Sequence, residues 1–334
     1  METHPTSRRA LLAAAVVPLA LGAALAAPSA ALAQAAWPTR PVRLVVPYPP
    51  GGASDITARL LGQKLGELWG QPVVIDNRAG ANGILALEYT AKQPGDGYTL
   101  LMANLGPNAI NPAVYAKLPY DPVKDFTAIT LTTIVPQVVV ANPALAQKSW
   151  REVLDYAKPN PGKVSYGTGG AGSANHLGIE LASSIAGASM VAVPYKGDGP
   201  AMVDAMSGQI WFSYPTVPAA MPHIKSGKLR ALAVGSKTRV PSLPDVPTMQ
   251  EAGVAGYESV SWGGIMGPAG VPPEVVNRIH ADLSRVLRLP DVQENLAAQG
   301  AQIAVQGPQD FAKFLGEEIR KWGAVARRAN IRVD

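Results

Sequence analysis

Twice along the chain a short apolar, β-branched run breaks at a cluster of glycines and passes at once into helical spacing. The first break is Val46-Pro47-Tyr48-Pro49-Pro50-Gly51-Gly52-Ala53-Ser54-Asp55. The second is Ser165-Tyr166-Gly167-Thr168-Gly169-Gly170-Ala171-Gly172-Ser173-Ala174-Asn175-His176. A strand that turns through glycine directly into a helix is the building unit of α/β sheets, so two such units predict an α/β fold.

The intervening sequence keeps that rhythm. Val42 to Val46, Pro72 to Asp76 and Tyr98 to Met102 read as strands, separated by helical spacing from Ile56 to Leu68 and from Ile84 to Lys92. Ile134 to Val140 restarts the pattern, followed by a Ser149-capped helix to Lys158. Strands are expected at Val164–Tyr166, Met190–Val193, Ile210–Phe212 and Leu229–Val234. Two amphipathic helices close the chain, 273–289 and 308–328. The alternation predicts mostly parallel sheets flanked by helices.

The first 33 residues read as a leader rather than fold. Ser7-Arg8-Arg9 precedes a run of Ala, Leu and Val ending in the small-residue site Ala31-Leu32-Ala33. That is the pattern of a cleaved export signal, and the paired arginines fit a loose twin-arginine type. Its removal leaves roughly 300 residues, room for two domains. There are no cysteines, which excludes disulfides, thiolate metal sites, a lipoprotein anchor and a cysteine nucleophile. An exported, cysteine-free chain of this length is expected in a bacterial periplasm. The net charge of +5 is scattered without a basic run, which argues against nucleic acid as a partner.

Both glycine turns should sit at the carboxyl end of a strand and the start of a helix. Helix starts leave unpaired backbone N–H donors, glycine lets them converge, and the helix dipole favours negative charge. A carboxylate is the natural guest. Gly51, Gly52, Ala53, Ser54 and Asp55 form one candidate cradle; Thr168, Gly169, Gly172, Ser173, Ala174 and Asn175 form the other. In Pro194-Tyr195-Lys196-Gly197, Tyr195 and Lys196 could close over the anion.

Other chemistries fit less well. Gly167-x-Gly169-x-x-Gly172 matches the dinucleotide fingerprint, but no acid follows at the required spacing. That demotes an exported NAD-dependent oxidoreductase without dismissing it. No G-x-S-x-G elbow occurs, and no histidine has a second histidine or a cysteine three or four residues away, which argues against a metal site read from spacing. His176 could contact ligand or serve as a structural hydrogen-bonding group. Trp211 and Trp262 could stack on an aromatic ligand or belong to the core.

Many ordered segments resemble the solute-binding receptors of tripartite tricarboxylate transporters, the Bug-type extracytoplasmic receptors. They are Arg40-Pro41-Val42-Arg43, Val46 to Asp55, Asp96-Gly97-Tyr98-Thr99-Leu100 and Ala109-Ile110-Asn111-Pro112. Leu118 to Phe126, Pro194 to Gly197, Gly227 to Val234, Leu243 to Thr248 and Glu317 to Trp322 continue the match. The resemblance implies a two-lobed periplasmic binding fold (type II-like) with a ligand cleft between lobes, residues 37–135 plus 236–334 forming lobe 1 and 136–235 lobe 2. It implies a receptor that is not an enzyme, needs no cofactor or metal, works as a monomer and delivers a small carboxylate to membrane transporter subunits by flytrap closure. A ligand-sensing co-receptor for a sensor kinase would share this fold. Ligand contacts are implied at the two glycine turns, with Tyr48, Asn108, Tyr195 and Lys196 added. Trp211 and Pro215 stand where the family usually carries aspartates, which points to a non-amino acid as ligand, aromatic acids included.

Overall fold

A computed structural model describes residues 37–170, 172–195 and 197–333. The leader, residues 1–33, and Lys196 lie outside the described residues. Two mixed sheets organise the remainder. The first holds β1 (Val42–Val46), β2 (Val73–Asn77), β3 (Thr99–Asn104), β4 (Phe126–Pro136), β10 (Val260–Pro268) and β11 (Gln302–Gln306), in the order β11-β4-β10-β3-β1-β2. The second holds β5 (Val138–Ala141), β6 (Ser165–Thr168), β7 (Val191–Pro194), β8 (Phe212–Ser213) and β9 (Arg230–Val234), in the order β7-β6-β8-β5-β9.

The helices are α1 (Ala53–Trp69), α2 (Ile84–Ala91), α3 (Asn111–Val114), α4 (Trp150–Ala157) and α5 (Ala174–Ala186). They continue with α6 (Asp198–Ser207), α7 (Val217–Lys225), α8 (Pro273–Val286), α9 (Pro290–Ala298) and α10 (Pro308–Arg328). None is long and apolar enough to cross a membrane.

The expectation of mostly parallel sheets holds only for the βαβ units. β1 pairs parallel with β2 and β3, and β6 with β7 and β8. β10 and β4 run antiparallel to their neighbours in the first sheet, as β5 and β9 do in the second. The cause is topological. The chain leaves the first sheet along β4, enters the second along β5 one residue later, and returns through β9 and then β10.

At this crossing the strands are tied directly. The Gly235 N–H donates to the Gln137 carbonyl at 2.9 Å, and the Ser259 N–H to the Gly235 carbonyl at 3.0 Å. Gly235 must be bare here, because a Cβ would lie 1.8 Å from the Tyr214 hydroxyl and 2.4 Å from the Ser259 carbonyl.

Each sheet has its own core. In the first, α10 buries Phe311, Leu315, Trp322 and Val325 along one face, the stripe its spacing predicts. In the second, Phe212 packs edge-on against Trp150 at 5.1 Å and stacks on Tyr166 at 5.5 Å. The segment after β9, placed with lobe 1 by sequence, sends Val240 and Leu243, then Met249, Val254 and Tyr257, into second-sheet cores. Val333 near the chain end donates its N–H to the Val114 carbonyl at 2.8 Å. Its side chain packs over Gly172, where a Cβ would come within 3.0 Å.

Candidate functional site

Both glycine turns reach one cleft at the crossing. Its outer part, about 400 Å³, is lined by Tyr48 and Ser54 from the first turn and by Gly169, Gly172, Ser173, Ala174 and Asn175 from the second. Its inner part, about 290 Å³, is bounded by Ala53, Ile56, Met102, Val135 and Trp262 among others. Ser54, Asn104, Thr216 and Ser261 border both parts.

The first turn is held from behind. Asp55, buried in the first turn of α1, accepts the Gly51 N–H at 2.8 Å, Arg59 Nε at 2.9 Å and Asn77 Nδ2 at 2.9 Å. Asn77 Nδ2 also reaches the Tyr48 carbonyl at 3.1 Å. The Arg59 guanidinium, with the Gly51 and Asn77 donors, holds the Asp55 carboxyl down at about 2 against the opposing effect of burial. Asp55 therefore fixes the turn from inside and is not among the groups lining the cleft. Gly51 has given its N–H to Asp55, and Gly52 is the exposed N-cap residue of α1. The Ala53 and Ser54 N–H groups, first in α1, lack intrahelical partners and stand at the cleft. Tyr48 adds a hydroxyl whose pKa burial pushes up to about 12, so it is a phenol donor.

The second turn is braced by its own helix. Asn175 Oδ1 accepts the Gly169 N–H at 3.0 Å and also faces the Ser173 hydroxyl, which orients the carboxamide without ambiguity. Its Nδ2 donates to Asp198 Oδ1 at 2.6 Å. His176 Nδ1 accepts the Gly172 N–H at 3.1 Å, and burial lowers the imidazole pKa, so the ring is a neutral structural acceptor. Thr168, buried, exchanges bonds with the Gly170 backbone at 3.3 Å. What this turn still offers a ligand is the pair of N–H groups at Ala174 and Asn175, first in α5.

The fingerprint glycines have local reasons. A Cβ on Gly167 would meet Ile210 at 2.7 Å and Ala201 at 2.8 Å; one on Gly169 would meet Asp198 Oδ1 at 3.2 Å. Gly172 combines φ +73° with the Val333 contact. Close packing of strand, helix and tail accounts for all three.

Two expected ligand contacts lie elsewhere. Asn108 is fully buried, accepting the Asn104 N–H at 3.0 Å, and braces the end of β3. Tyr195 donates its hydroxyl to Asp204 at 2.7 Å; burial first, and then Asp204, pushes its pKa up to about 12. Neither lines the cleft. Trp211 packs on Tyr156 at 4.9 Å, away from the cleft, whereas Trp262 lines its inner part while donating to Glu318 at 3.2 Å.

Sequence reasoning missed Asn82, Asn104, Gln137, Thr216 and Ser261, which arrive from the crossing and from loops without a motif. It also missed Asp198. Burial raises the Asp198 carboxyl pKa, with Asn175 opposing. It is the only Asp, Glu, Lys, Arg or His among the described residues lining either part of the cleft.

Residues 57–331 match the family described as tripartite tricarboxylate transporter family receptor. Protein BugT of Bordetella pertussis is 37% identical over 298 residues, covering 89% of this chain and 91% of that protein. The solved structure of R. palustris Rpa4515 with adipate is 38% identical with TM-score 0.77, covering 89% of this chain and 99% of that one. MatC from Rhodopseudomonas palustris with bound malate is 33% identical with TM-score 0.72, covering 86% and 99%. Through a match that spans most of its length, the chain belongs to the tripartite tricarboxylate transporter receptor family, Bug-type periplasmic solute-binding receptors.

Proposed function

We propose that the protein captures a small organic acid in the periplasm by closing its lobes on it, and presents it to the membrane subunits of a tripartite transporter. One observation carries this reading: the unengaged N–H groups of two helix starts, α1 and α5, converge on one cleft whose described polar side chains in the outer part are neutral hydroxyls and carboxamides, with Asp198. Adipate and malate in the similar receptors support a carboxylate guest. In this reading the leader is cleaved near residue 33 and the receptor is monomeric. The lobes divide at Gln137 and again near Ser259, beyond the segment whose side chains enter the second-sheet cores.

Thermal unfolding of residues 34–334 against mono-, di- and tricarboxylates, aromatic acids and acidic amino acids, with NAD as control, tests it. A ligand at about 100 times its Kd adds roughly 2.7 kcal/mol to stability, a readable shift in Tm. A shift with carboxylates and none with NAD is expected; a shift with NAD alone would overturn the receptor reading.

A further inference from the structure

An acid stands inside a cleft built for an anion. Asp198 opens α6, lines the outer cavity, and is pinned through one oxygen by Asn175 Nδ2 at 2.6 Å. Asn175 cannot turn away, because its own oxygen holds the Gly169 N–H and faces the Ser173 hydroxyl. Gly169 offers no side chain that could push the carboxylate aside; its Cβ would lie 3.2 Å from Asp198 Oδ1. The other Asp198 oxygen has no hydrogen-bond partner among the described residues.

The other described polar side chains of the outer wall are indifferent to sign. Tyr48, Asn82, Gln137, Thr216 and Ser261 each carry a group that can donate or accept. Asn104, nine-tenths buried, has its amide oxygen unpartnered. Among the described side chains of the cleft, discrimination by charge therefore falls to Asp198.

We propose that Asp198 sets the ligand class: the cleft prefers a carboxylate whose far end carries a hydrogen-bond donor, hydroxyl or ammonium, over one whose far end is a second carboxylate. This rests on the carboxylate-receptor reading. A ligand donor satisfies the free oxygen of Asp198. A second carboxylate instead brings like charge into a desolvated site, where it is poorly screened.

The test is calorimetric affinity at pH 7 for two matched sets: 4-hydroxybutanoate, 4-aminobutanoate and succinate, then 6-hydroxyhexanoate, 6-aminohexanoate and adipate. Wild type should bind the hydroxy or amino member at least about tenfold more tightly than the dicarboxylate of equal length. Asp198→Asn, nearly isosteric, should shrink that ratio by about tenfold, chiefly by improving the dicarboxylate. If Asp198→Asn fails to fold, Asp198→Ser, neutral and smaller, answers the same question. The hydroxy and amino arms tell the two donors apart. A dicarboxylate bound as tightly as its partners by wild type, or a ratio unchanged in the variant, would overturn the proposal while leaving the carboxylate reading intact. Absence of binding by every member would overturn the proposal, and the thermal panel of carboxylates would decide the receptor reading separately.

Discussion

The hydroxyls of Tyr214 and Tyr257 meet at 3.0 Å in the buried crossing between the two sheets. Tyr214 donates onward to the Ser259 carbonyl at 3.2 Å, and the Gly178 carbonyl of α5 stands 3.0 Å from the Tyr257 hydroxyl. Ser259 Oγ reaches Gln137 Oε1 at 3.3 Å, and Gln137 borders the cleft. The strands that cross between lobes, the helix that opens on the cleft and the cleft wall thus share one polar network.

That network leaves Gly235 no room to grow. Gly235→Ala should destabilise the protein by at least about 2 kcal/mol, because a methyl must displace the Tyr214 hydroxyl and a backbone carbonyl in a packed interior. Urea unfolding reads this directly. Unchanged stability would show that the crossing yields more easily than its distances imply.

Asp55 predicts an acid limb in stability. Its folded pKa is lowered from 3.8 to about 2. Its contribution is therefore full above the unfolded value and is lost as pH falls from about 4 to about 2. Asp55→Asn should be less stable at neutral pH and lose that part of the pH dependence, as denaturant midpoints measured across the range would reveal. The same midpoint loss at every pH would mean the carboxylate charge is not what matters.

Gly169→Ala probes the brace behind the second turn. The new methyl would sit 3.2 Å from Asp198 Oδ1 and 3.4 Å from Asn175 Nδ2. The expected result is a near-normal Tm for the free protein and a weakened carboxylate-induced shift. An undiminished shift would remove the Asn175–Asp198 contact from ligand binding.

Glu318 carries two indoles at once. Its Oε2 accepts Trp262 Nε1 at 3.2 Å and Trp322 Nε1 at 2.9 Å, with Lys321 paired to the other oxygen. Glu318→Ala strands two buried donors and should cost about 2–5 kcal/mol. Tryptophan fluorescence should change with it, since both rings lose their polar partner.

The residues that disclose themselves in sequence are those whose role is local. Val42 to Val46 is a continuous apolar run, and Gly51 to Asp55 must be a turn and a helix start whatever surrounds them. β10 does not disclose itself, because Gly263 and Gly264 interrupt it. Those glycines are required by distant partners, a Cβ on Gly264 lying 2.5 Å from the Phe311 ring. α6 hides behind Asp198-Gly199-Pro200, which reads as a turn. Asp198 becomes a cleft residue only through Asn175, 23 positions earlier, and Asn108 resembles a ligand contact until β3 and β10 close over it. Roles defined by long-range contact leave no periodicity to read.

The position of Val333 has a practical consequence. A purification tag joined after Asp334 would follow within two positions of Val333, whose side chain covers Gly172. Affinities measured on such a fusion would report the appendage together with the cleft. A cleavable tag removed before titration, compared with the fusion itself, would show how far the tail takes part in holding the second turn in shape.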